Sequence, residues 1–146
     1  MRVLVTGHNG YIGSVLVKML IEKGYSIIGL DTNFFAECNL EIINTQFKQI
    51  NVDVRDINEE HLEEVDAIIH LAGLSNDPLG ELAPELTIKI NYNSTIKLAK
   101  LAKKMGVSRF IYASSQSMYG ISNNSEELDE DNSEKNPVTS YASTKW

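Results

Sequence analysis

In the stretch "VLVTGHNGYIGSVLVKML" (residues 3–20), an apolar run gives way to a helical pattern across three glycines. The run Val3–Val5 is typical of a short buried strand, and from Tyr11 to Lys23 apolar residues recur at helical spacing. Gly24 is the predicted end of that helix. The glycines between strand and helix are Gly7, Gly10 and Gly13.

The rest of the chain repeats this alternation of strand and helix. Further strands are predicted at Tyr25–Leu30, Phe47–Val52, Ala67–Leu71 and Arg109–Ser115. Helical segments are predicted at Glu85–Lys104 and Tyr141–Trp146, and a short acidic helix or turn at Asn58–Glu64. Loops or weak structure are predicted at Thr32–Gln46, Gly73–Pro78 and Ser122–Val138. Candidate buried positions on the long helix are Ile88, Tyr92, Ile96, Leu98, Ala99, Leu101 and Ala102. The alternation predicts an α/β fold with a doubly wound parallel sheet, the Rossmann fold, with helices on both faces.

Composition argues against several classes of protein. The chain has 146 residues and a formal charge of -7, and it lacks the clustered Lys and Arg that nucleic-acid binding needs. Its one cysteine, Cys38, cannot form an intrachain disulfide, which fits a reducing compartment. No stretch approaches the ~20 apolar residues that span a bilayer, and a strand from Arg2 leaves no room for a leader peptide. We therefore expect a soluble cytoplasmic protein that binds neither nucleic acid nor membranes.

Glycines at a junction of strand and helix are typical of a dinucleotide-binding turn. The first glycine allows the tight turn, the second lets the backbone approach a pyrophosphate, and the third allows the helix to pack closely against the strand. Unpaired N–H groups at the start of the helix and the positive end of its dipole then face the phosphates. The alternative is that glycines are simply favoured in such turns.

Asp31 follows the second predicted strand, 21 residues after Gly10. An acidic residue about 20 positions after the glycines accepts hydrogen bonds from the adenosine ribose. Its charge would repel the 2′-phosphate of NADP, and no arginine follows in "DTNFFAE", so NAD is the favoured cofactor. The alternative is a residue that only forms the turn at the end of the strand.

The GxxGxxG spacing followed by "YIGS" resembles the extended short-chain dehydrogenase/reductase family, which contains NAD-dependent nucleotide-sugar epimerases and dehydratases. Other segments match in the family's order: "NVDVRD", "HLAG", "INYNST", "ASSQSMYG" and "YASTK". The resemblance implies that residues 1–146 are the NAD-binding domain of a longer epimerase, truncated before the last strands and the substrate domain. Such a fragment is expected to be inactive by itself.

The same resemblance implies which residues contact the cofactor. Asp53 and Val54 would lie near the adenine, and the "HLAG" segment would lie behind the cofactor ribose. The full implied set is Gly7, Gly10, Tyr11, Ile12, Gly13, Asp31, Asp53, Val54, Leu71, Ala72, Gly73, Ser75, Asn91, Ser114, Tyr141 and Lys145.

Tyr141 and Lys145 match the family's YxxxK pair, and on a helix positions i and i+4 share a face. A phenol has a pKa near 10, and a neighbouring ammonium favours the phenolate that a base at neutral pH requires. Tyr141 would then take the proton of a sugar hydroxyl while hydride leaves the same carbon for the nicotinamide. The resemblance also implies that Lys145 holds the nicotinamide ribose and that Ser115 bonds the substrate oxygen and the Tyr141 phenol. The alternative for Ser115 is a cap at the end of the fifth strand. The alternative for the pair is a surface or packing tyrosine at Tyr141 and a solvated helix lysine at Lys145.

The residues after Ser115 distinguish reactions within the family. Dehydratases of the family usually carry Asp-Glu there, whereas this chain has Gln116 and Ser117. This departure favours an enzyme like the 4-epimerases, acting in carbohydrate metabolism on a nucleotide sugar. A dehydratase or another oxidoreductase of nucleotide sugars is the alternative. A second alternative is a regulator that senses NAD(P) without catalysis, which would not need Ser115, Tyr141 and Lys145 together.

The histidines His8, His61 and His70 are scattered and lack ligand spacing, so no metal site is predicted. We expect His8 to be merely tolerated in the glycine turn, and His70 to be a core group or one behind the site. The resemblance also implies a homodimer, since family members commonly pair through a four-helix interface that includes the long helix.

Overall fold

A computed structural model of the chain describes residues 1–38, 46–121 and 127–146, so parts of two predicted loops (39–45 and 122–126) lie outside the described residues. The strands in these ranges are β1 (Arg2–Thr6), β2 (Ser26–Asp31), β3 (Lys48–Asn51), β4 (Ala67–His70) and β5 (Arg109–Tyr112). The helices are α1 (Tyr11–Glu22), α2 (Asp77–Leu82), α3 (Pro84–Thr87), α4 (Ser94–Lys104) and α5 (Ser140–Ser143). A π-helical turn (Ile88–Asn93) joins α3 to α4, and 3-10 turns lie at Ala36–Cys38, Val54–Asp56, Glu59–Leu62 and Gln116–Tyr119.

The chain forms two compact units, which are described separately. The sheet unit consists of Met1–Ala72 and Ser94–Tyr112, and the tyrosine unit consists of Gly73–Asn93 and Ala113–Trp146. The sheet unit contains all five strands named above.

The sheet is parallel throughout, in the order β3-β2-β1-β4-β5. The central strand β1 places Thr6 opposite Leu30 of β2 and His70 of β4. The carboxyl ends of three strands therefore meet at one edge, where open α/β sheets bind ligands. The predicted doubly wound parallel sheet is confirmed.

Both faces of the sheet are covered by helices. Successive residues of a strand point to opposite sides, so β1 contributes to an apolar cluster on each face. Val3 and Val5 pack with Val17 of α1 in one apolar cluster. Leu4 lies in a second cluster, together with Leu98 of α4. Each fully buried aliphatic side chain contributes about 1.5–3 kcal/mol relative to exposure, so the two helices are held chiefly by these contacts.

The candidate buried positions on the long helix are partly wrong, and α1 also exposes some of its apolar side chains. In α1, Ile12 and Met19 are exposed (60% and 50%), and the buried positions are Gly13, Ser14 and Val17. On the long helix, the candidate positions Ile88, Tyr92 and Ile96 are exposed, whereas Leu98 and Ala102 are buried. Apolar residues occupy more than one face of both segments, and spacing alone does not tell which face meets the sheet.

The remaining helix predictions differ mainly at their ends. The predicted helix at Glu85–Lys104 is present as α3, the π-helical turn and α4. The first turn of the YxxxK segment is α5, which begins one residue before the prediction. The predicted loop Gly73–Pro78 runs only to Asn76, because α2 begins at Asp77 with Asn76 as its N-cap and Pro78 in its first turn.

Candidate functional site

Gly7 makes the turn after β1, and the turn requires a glycine there. Its φ is +73°, and its N–H donates to the Leu30 carbonyl at 2.8 Å. A Cβ at this position would lie 2.8 Å from the Ala72 nitrogen. A Cβ at Gly13 would collide with the Gly7 carbonyl oxygen, so the first and third glycines are explained by backbone contacts within the sheet unit.

Gly10 differs from the other two, because its surroundings in the protein are open. A Cβ there would meet only the Gly7 carbonyl oxygen, at 3.3 Å, among the described atoms. Gly10 is the N-cap of α1, where no side chain caps the helix and no acidic residue lies in the first turn. Tyr11 and Ile12 are exposed. The first N–H groups of this 12-residue helix are thus available to an anion, and the turn fits a pyrophosphate.

Asp31, at the end of β2, holds the glycine turn in place. Its Oδ2 accepts from the Asn9 N–H at 3.0 Å, and its Oδ1 accepts from the Asn33 N–H at 2.9 Å. The Asn9 side chain also donates to the Asn33 amide oxygen at 2.6 Å. A carboxylate offers about four acceptor positions, so Asp31 keeps capacity for two ribose hydroxyls. This anchoring of the turn by Asp31 was not predicted from the sequence.

Asp53 and Val54 lie just beyond β3. Asp53 accepts from the Arg55 guanidinium at 2.7 and 2.9 Å, and this charged hydrogen bonding holds the pKa of its carboxyl below the ordinary value. Its Oδ1 also accepts from the Arg55 N–H, capping the 3-10 turn in which Val54 is buried. The Val52 N–H donates to the Asp31 carbonyl at 3.1 Å, so this segment follows the end of β2.

Leu71 and Ala72 continue β4 toward the glycine turn. Their N–H groups donate to the carbonyl and hydroxyl oxygens of Thr6 at 3.1 and 3.3 Å. The same hydroxyl bonds His70 Nδ1 at 2.6 Å, and His70 Nε2 bonds Thr95 at 2.8 Å. His70 is 1% exposed, so the prediction of a buried core group is confirmed.

His8 has a packing role that the sequence analysis did not expect. It is fully buried, and its Nε2 bonds Gln49 of β3 at 3.1 Å. A Cβ on Gly29 of β2 would lie 2.5 Å from the imidazole ring. His8 Nδ1 is buried with no hydrogen-bond partner among the described residues. The expectation that His8 is merely tolerated is wrong, since β2 carries a glycine where the ring needs room.

Tyr141 and Lys145 are brought together in the tyrosine unit, as predicted. Lys145 Nζ lies 5.7 Å from the centroid of the Tyr141 ring. The lysine is 7% exposed, and its Nζ donates to the Ala113 carbonyl at 3.0 Å. Burial lowers the pKa of the Lys145 ammonium. The half-buried phenol therefore has a buried amine beside it.

The two serines after β5 have different contacts. Ser114 donates to the Lys145 carbonyl at 2.6 Å and so holds the end of the YxxxK segment. Ser115 caps the 3-10 turn Gln116–Tyr119, accepting from the Ser117 N–H at 3.2 Å. Among the described residues its hydroxyl bonds Gln116 and Ser117 and does not reach Tyr141.

Asn91 lies in the π-helical turn and is 1% exposed. Its side chain accepts from the Leu74 N–H at 2.8 Å and donates to the Leu74 carbonyl at 2.9 Å. It also donates to the Thr144 hydroxyl at 3.3 Å. A Cβ on Gly73 would lie 3.0 Å from the Asn91 amide oxygen, and Ser75 is exposed. Asn91 therefore fixes the segment after β4 and the end of the YxxxK segment.

Asp77 and Glu81 of α2 were missed by the sequence analysis. Asp77 accepts a hydrogen bond from the Thr139 hydroxyl, and Glu81 accepts from the Ser140 N–H. Both partners lie immediately before Tyr141. The pattern Asn76-Asp77-Pro78 is a typical helix start and was the available signal that this segment is ordered.

The described residues contain neither a cluster that could bind a metal ion nor a helix that could span a membrane. Within residues 1–38, 46–121 and 127–146, no group of three or more His, Cys, Asp or Glu side chains is placed to hold a metal ion. None of the helices in the same ranges has the length and apolar character that a membrane crossing requires.

A parallel sheet, a glycine turn at its carboxyl edge and an acidic residue at the end of β2 define a dinucleotide-binding α/β protein. The family model described as "NAD dependent epimerase/dehydratase family" matches residues 3–146. The chain belongs to this family, whose cofactor is NAD.

Individual relatives are similar to most of the chain. The chain is 36% identical over 124 residues to UDP-glucuronic acid decarboxylase 1 of Arabidopsis thaliana, an alignment that covers 82% of this chain and 27% of the relative. It is 32% identical over 148 residues to a putative UDP-glucose 4-epimerase of Methanocaldococcus jannaschii, covering 99% of this chain and 47% of that protein.

A solved structure agrees with the fold over nearly the whole chain. The UDP-glucose 4-epimerase of Thermus thermophilus, in complex with NAD, superposes with a TM-score of 0.86 at 27% identity. This match covers 99% of the present chain and 47% of the other. The chain thus spans less than half the length of these relatives.

Proposed function

We propose that this chain is the NAD-binding part of a longer nucleotide-sugar epimerase. The observation that carries the proposal is the placement of Tyr141 beside the buried Lys145, in a chain whose α1 begins with uncapped N–H groups. A tyrosine beside a buried lysine suits removal of a proton from a hydroxyl group. Uncapped N–H groups at the start of α1 suit binding of a dinucleotide. The substrate domain would lie in the part that the relatives have in addition.

NAD would be held by the residues implied by the family resemblance. The N–H groups of Tyr11, Ile12 and Gly13 would bind the pyrophosphate, and Asp31 would bind the adenosine ribose. Asp53 and Val54 would lie near the adenine. The remaining proposed contacts are Gly7, Gly10, Leu71, Ala72, Gly73, Ser75, Asn91, Ser114, Tyr141 and Lys145.

The proposed reaction divides proton and hydride between protein and cofactor. Bound NAD supplies the acceptor and later the donor of hydride at one sugar carbon. Tyr141, as phenolate, takes the proton from the hydroxyl on that carbon, and Ser115 donates a hydrogen bond to the same oxygen. Tyr141 would afterwards return the proton to the same oxygen. Tyr141 would thus be a phenolate again at the end of each turnover.

A second candidate within the family is a nucleotide-sugar dehydratase or decarboxylase. It is favoured by the 36% identity to plant UDP-glucuronic acid decarboxylases. The presence of Gln116 and Ser117 after Ser115 argues against a dehydratase, since neither side chain is an acid that would assist elimination of water.

One experiment separates these reactions. The full-length protein is incubated without added cofactor with UDP-glucose, UDP-N-acetylglucosamine or UDP-glucuronic acid, and the sugars are followed by NMR. The proposal predicts an epimerised product from one of the neutral sugars. Loss of CO₂ from UDP-glucuronic acid, with no change in the others, would establish the decarboxylase instead.

A cytoplasmic homodimer is the proposed context, with a role in carbohydrate metabolism. Exposed apolar side chains on the long helix, Tyr92 among them at 48% exposure, support pairing through that helix. The free and exposed Cys38 fits a reducing compartment. Analytical ultracentrifugation of the full-length protein tests the dimer, and a Tyr92→Lys variant is expected to sediment as a monomer.

A further inference from the structure

Helix α2 places two carboxylates at the start of the segment that carries Tyr141. Asp77 accepts a hydrogen bond from the Thr139 hydroxyl, and Glu81 Oε1 accepts from the Ser140 N–H at 2.6 Å. Asp77 and Glu81 are four residues apart, so they lie on one face of α2. Both contacts fall within the two residues that precede Tyr141.

The contact of Asp77 decides how Thr139 caps α5. A threonine hydroxyl has one hydrogen, and here Asp77 accepts it. The lone pairs are then directed elsewhere, and the Thr139 oxygen accepts from the Ala142 N–H at 3.1 Å. Asp77 thereby orients the hydroxyl that begins the helical turn around Tyr141.

Glu81 and Gly80 bring α2 against the backbone of Tyr141. The Ser140 N–H is the main cause that lowers the pKa of the Glu81 carboxyl, consistent with a hydrogen bond to the ionised form. A Cβ on Gly80 would lie 3.3 Å from the Tyr141 Cβ and 3.6 Å from its nitrogen. Thr87, fully buried, donates to the Gly80 carbonyl at 2.9 Å and so ties α3 to α2.

A turn as short as α5, Ser140–Ser143, gains little stability from its own hydrogen bonds, because helix nucleation is unfavourable. Its far end is held by the contacts of Asn91 and Ser114 described above, and its near end by α2. We propose that Asp77 and Glu81 are positioning residues, which act through Thr139 and Ser140 to hold the Tyr141 phenol beside Lys145. This inference rests on the proposed function and names residues that the family resemblance did not supply.

The test compares removal of each acceptor with its conservative replacement in the full-length protein. Asp77→Ala and Glu81→Ala remove the acceptor oxygen, whereas Asp77→Asn and Glu81→Gln keep it. The alanine variants are expected to lose about tenfold in kcat with KM unchanged, since misplacement of a reacting group slows the chemical step. The amide variants are expected to stay near the parent kcat. Glu85→Ala, an exposed carboxylate on α3, is the matched control and should match the parent.

A second readout does not depend on the substrate. Ser140 amide hydrogen exchange is measured with NAD present, and Glu81→Ala is expected to speed it while Glu81→Gln leaves it slow. An unchanged kcat in both alanine variants, a rise in KM alone, or equal losses in the amide variants would overturn the proposal. If the parent converts none of the three UDP-sugars, the proposed function fails separately. The positioning contact is then decided by the exchange data, where equal protection in the parent and Glu81→Ala overturns it.

Discussion

In the sheet unit, the position of the His8 side chain depends on Gly29, which has no side chain of its own. The buried imidazole of His8 occupies space above Gly29, and Gln49, which pairs with Gly29 in the sheet register, bonds its Nε2. His8 Nδ1 has no partner among the described residues, which favours the tautomer that carries its hydrogen on Nε2 and donates it to Gln49. Asp31, also on β2, fixes the glycine turn by a hydrogen bond instead, because its carboxylate accepts from the Asn9 N–H.

Gly29→Ala is expected to lower the free energy of unfolding by about 1–3 kcal/mol, because the new methyl group meets the His8 ring. Urea unfolding measures the change. In a His8→Ala background the same substitution should cost much less, since the ring is gone. An equal cost in both backgrounds would show that His8 and Gly29 are not coupled.

Asp53 gives the stability of the protein a defined dependence on pH. Its pKa is lowered below 3.8 in the folded state, first by the hydrogen bonds from Arg55, so the unfolded state binds more protons as the pH falls below that value. The stabilisation is therefore complete above the unfolded pKa and is lost as the pH falls through the folded one. Between about pH 6 and about pH 3, the free energy of unfolding should fall more steeply for the parent than for the Asp53→Asn variant. Arg55→Ala should reduce this pH dependence by the same amount. A pH dependence equal to that of the parent in both variants would contradict the ion pair.

At the scale of elements, burial against the sheet distinguishes apolar residues of one helix that the sequence pattern does not separate. Ile96 and Leu98 are both apolar and lie two positions apart in α4. Leu98 is fully buried in the cluster around Leu4, whereas Ile96 is 39% exposed. The spacing of apolar residues predicts the helix but not the face it presents, because that choice depends on where the sheet lies.

Leu98→Ala is expected to destabilise the protein by about 2–5 kcal/mol, the usual cost of deleting a buried leucine side chain. Ile96→Ala on the same helix should change the free energy of unfolding by less than about 1 kcal/mol. Thermal or urea unfolding of the two variants provides the comparison. Similar losses in both would place Ile96 in a buried interface instead.

For the whole molecule, the features that the sequence predicts correctly are those that depend on residues close together in the chain. The glycine turn, the parallel sheet and the approach of Tyr141 to Lys145 follow from short spacings, and the structure contains all three. The support of Tyr141 by Asp77 and Glu81 joins residues about sixty positions apart, which no local pattern shows. The packing of His8 likewise depends on another part of the chain, because the ring needs a residue without a side chain at Gly29 of β2.

Tyr141→Phe separates catalysis from cofactor binding in the full-length protein. The variant lacks only the phenolic hydroxyl, so NAD binding measured by calorimetry should change little while turnover of a nucleotide sugar falls by about a hundredfold or more. Lys145→Met is a useful comparison and should weaken both. A Tyr141→Phe variant that functions like the parent would favour the regulator that senses NAD(P) without catalysis.

A crystal structure of the full-length protein with NAD is the most direct test of the central claim. The account predicts the pyrophosphate within hydrogen-bonding distance of the main-chain N–H groups at the start of α1, an adenosine ribose bound by Asp31, and the nicotinamide next to Tyr141. A coenzyme bound away from Gly10, or one whose nicotinamide does not meet Tyr141, would contradict it.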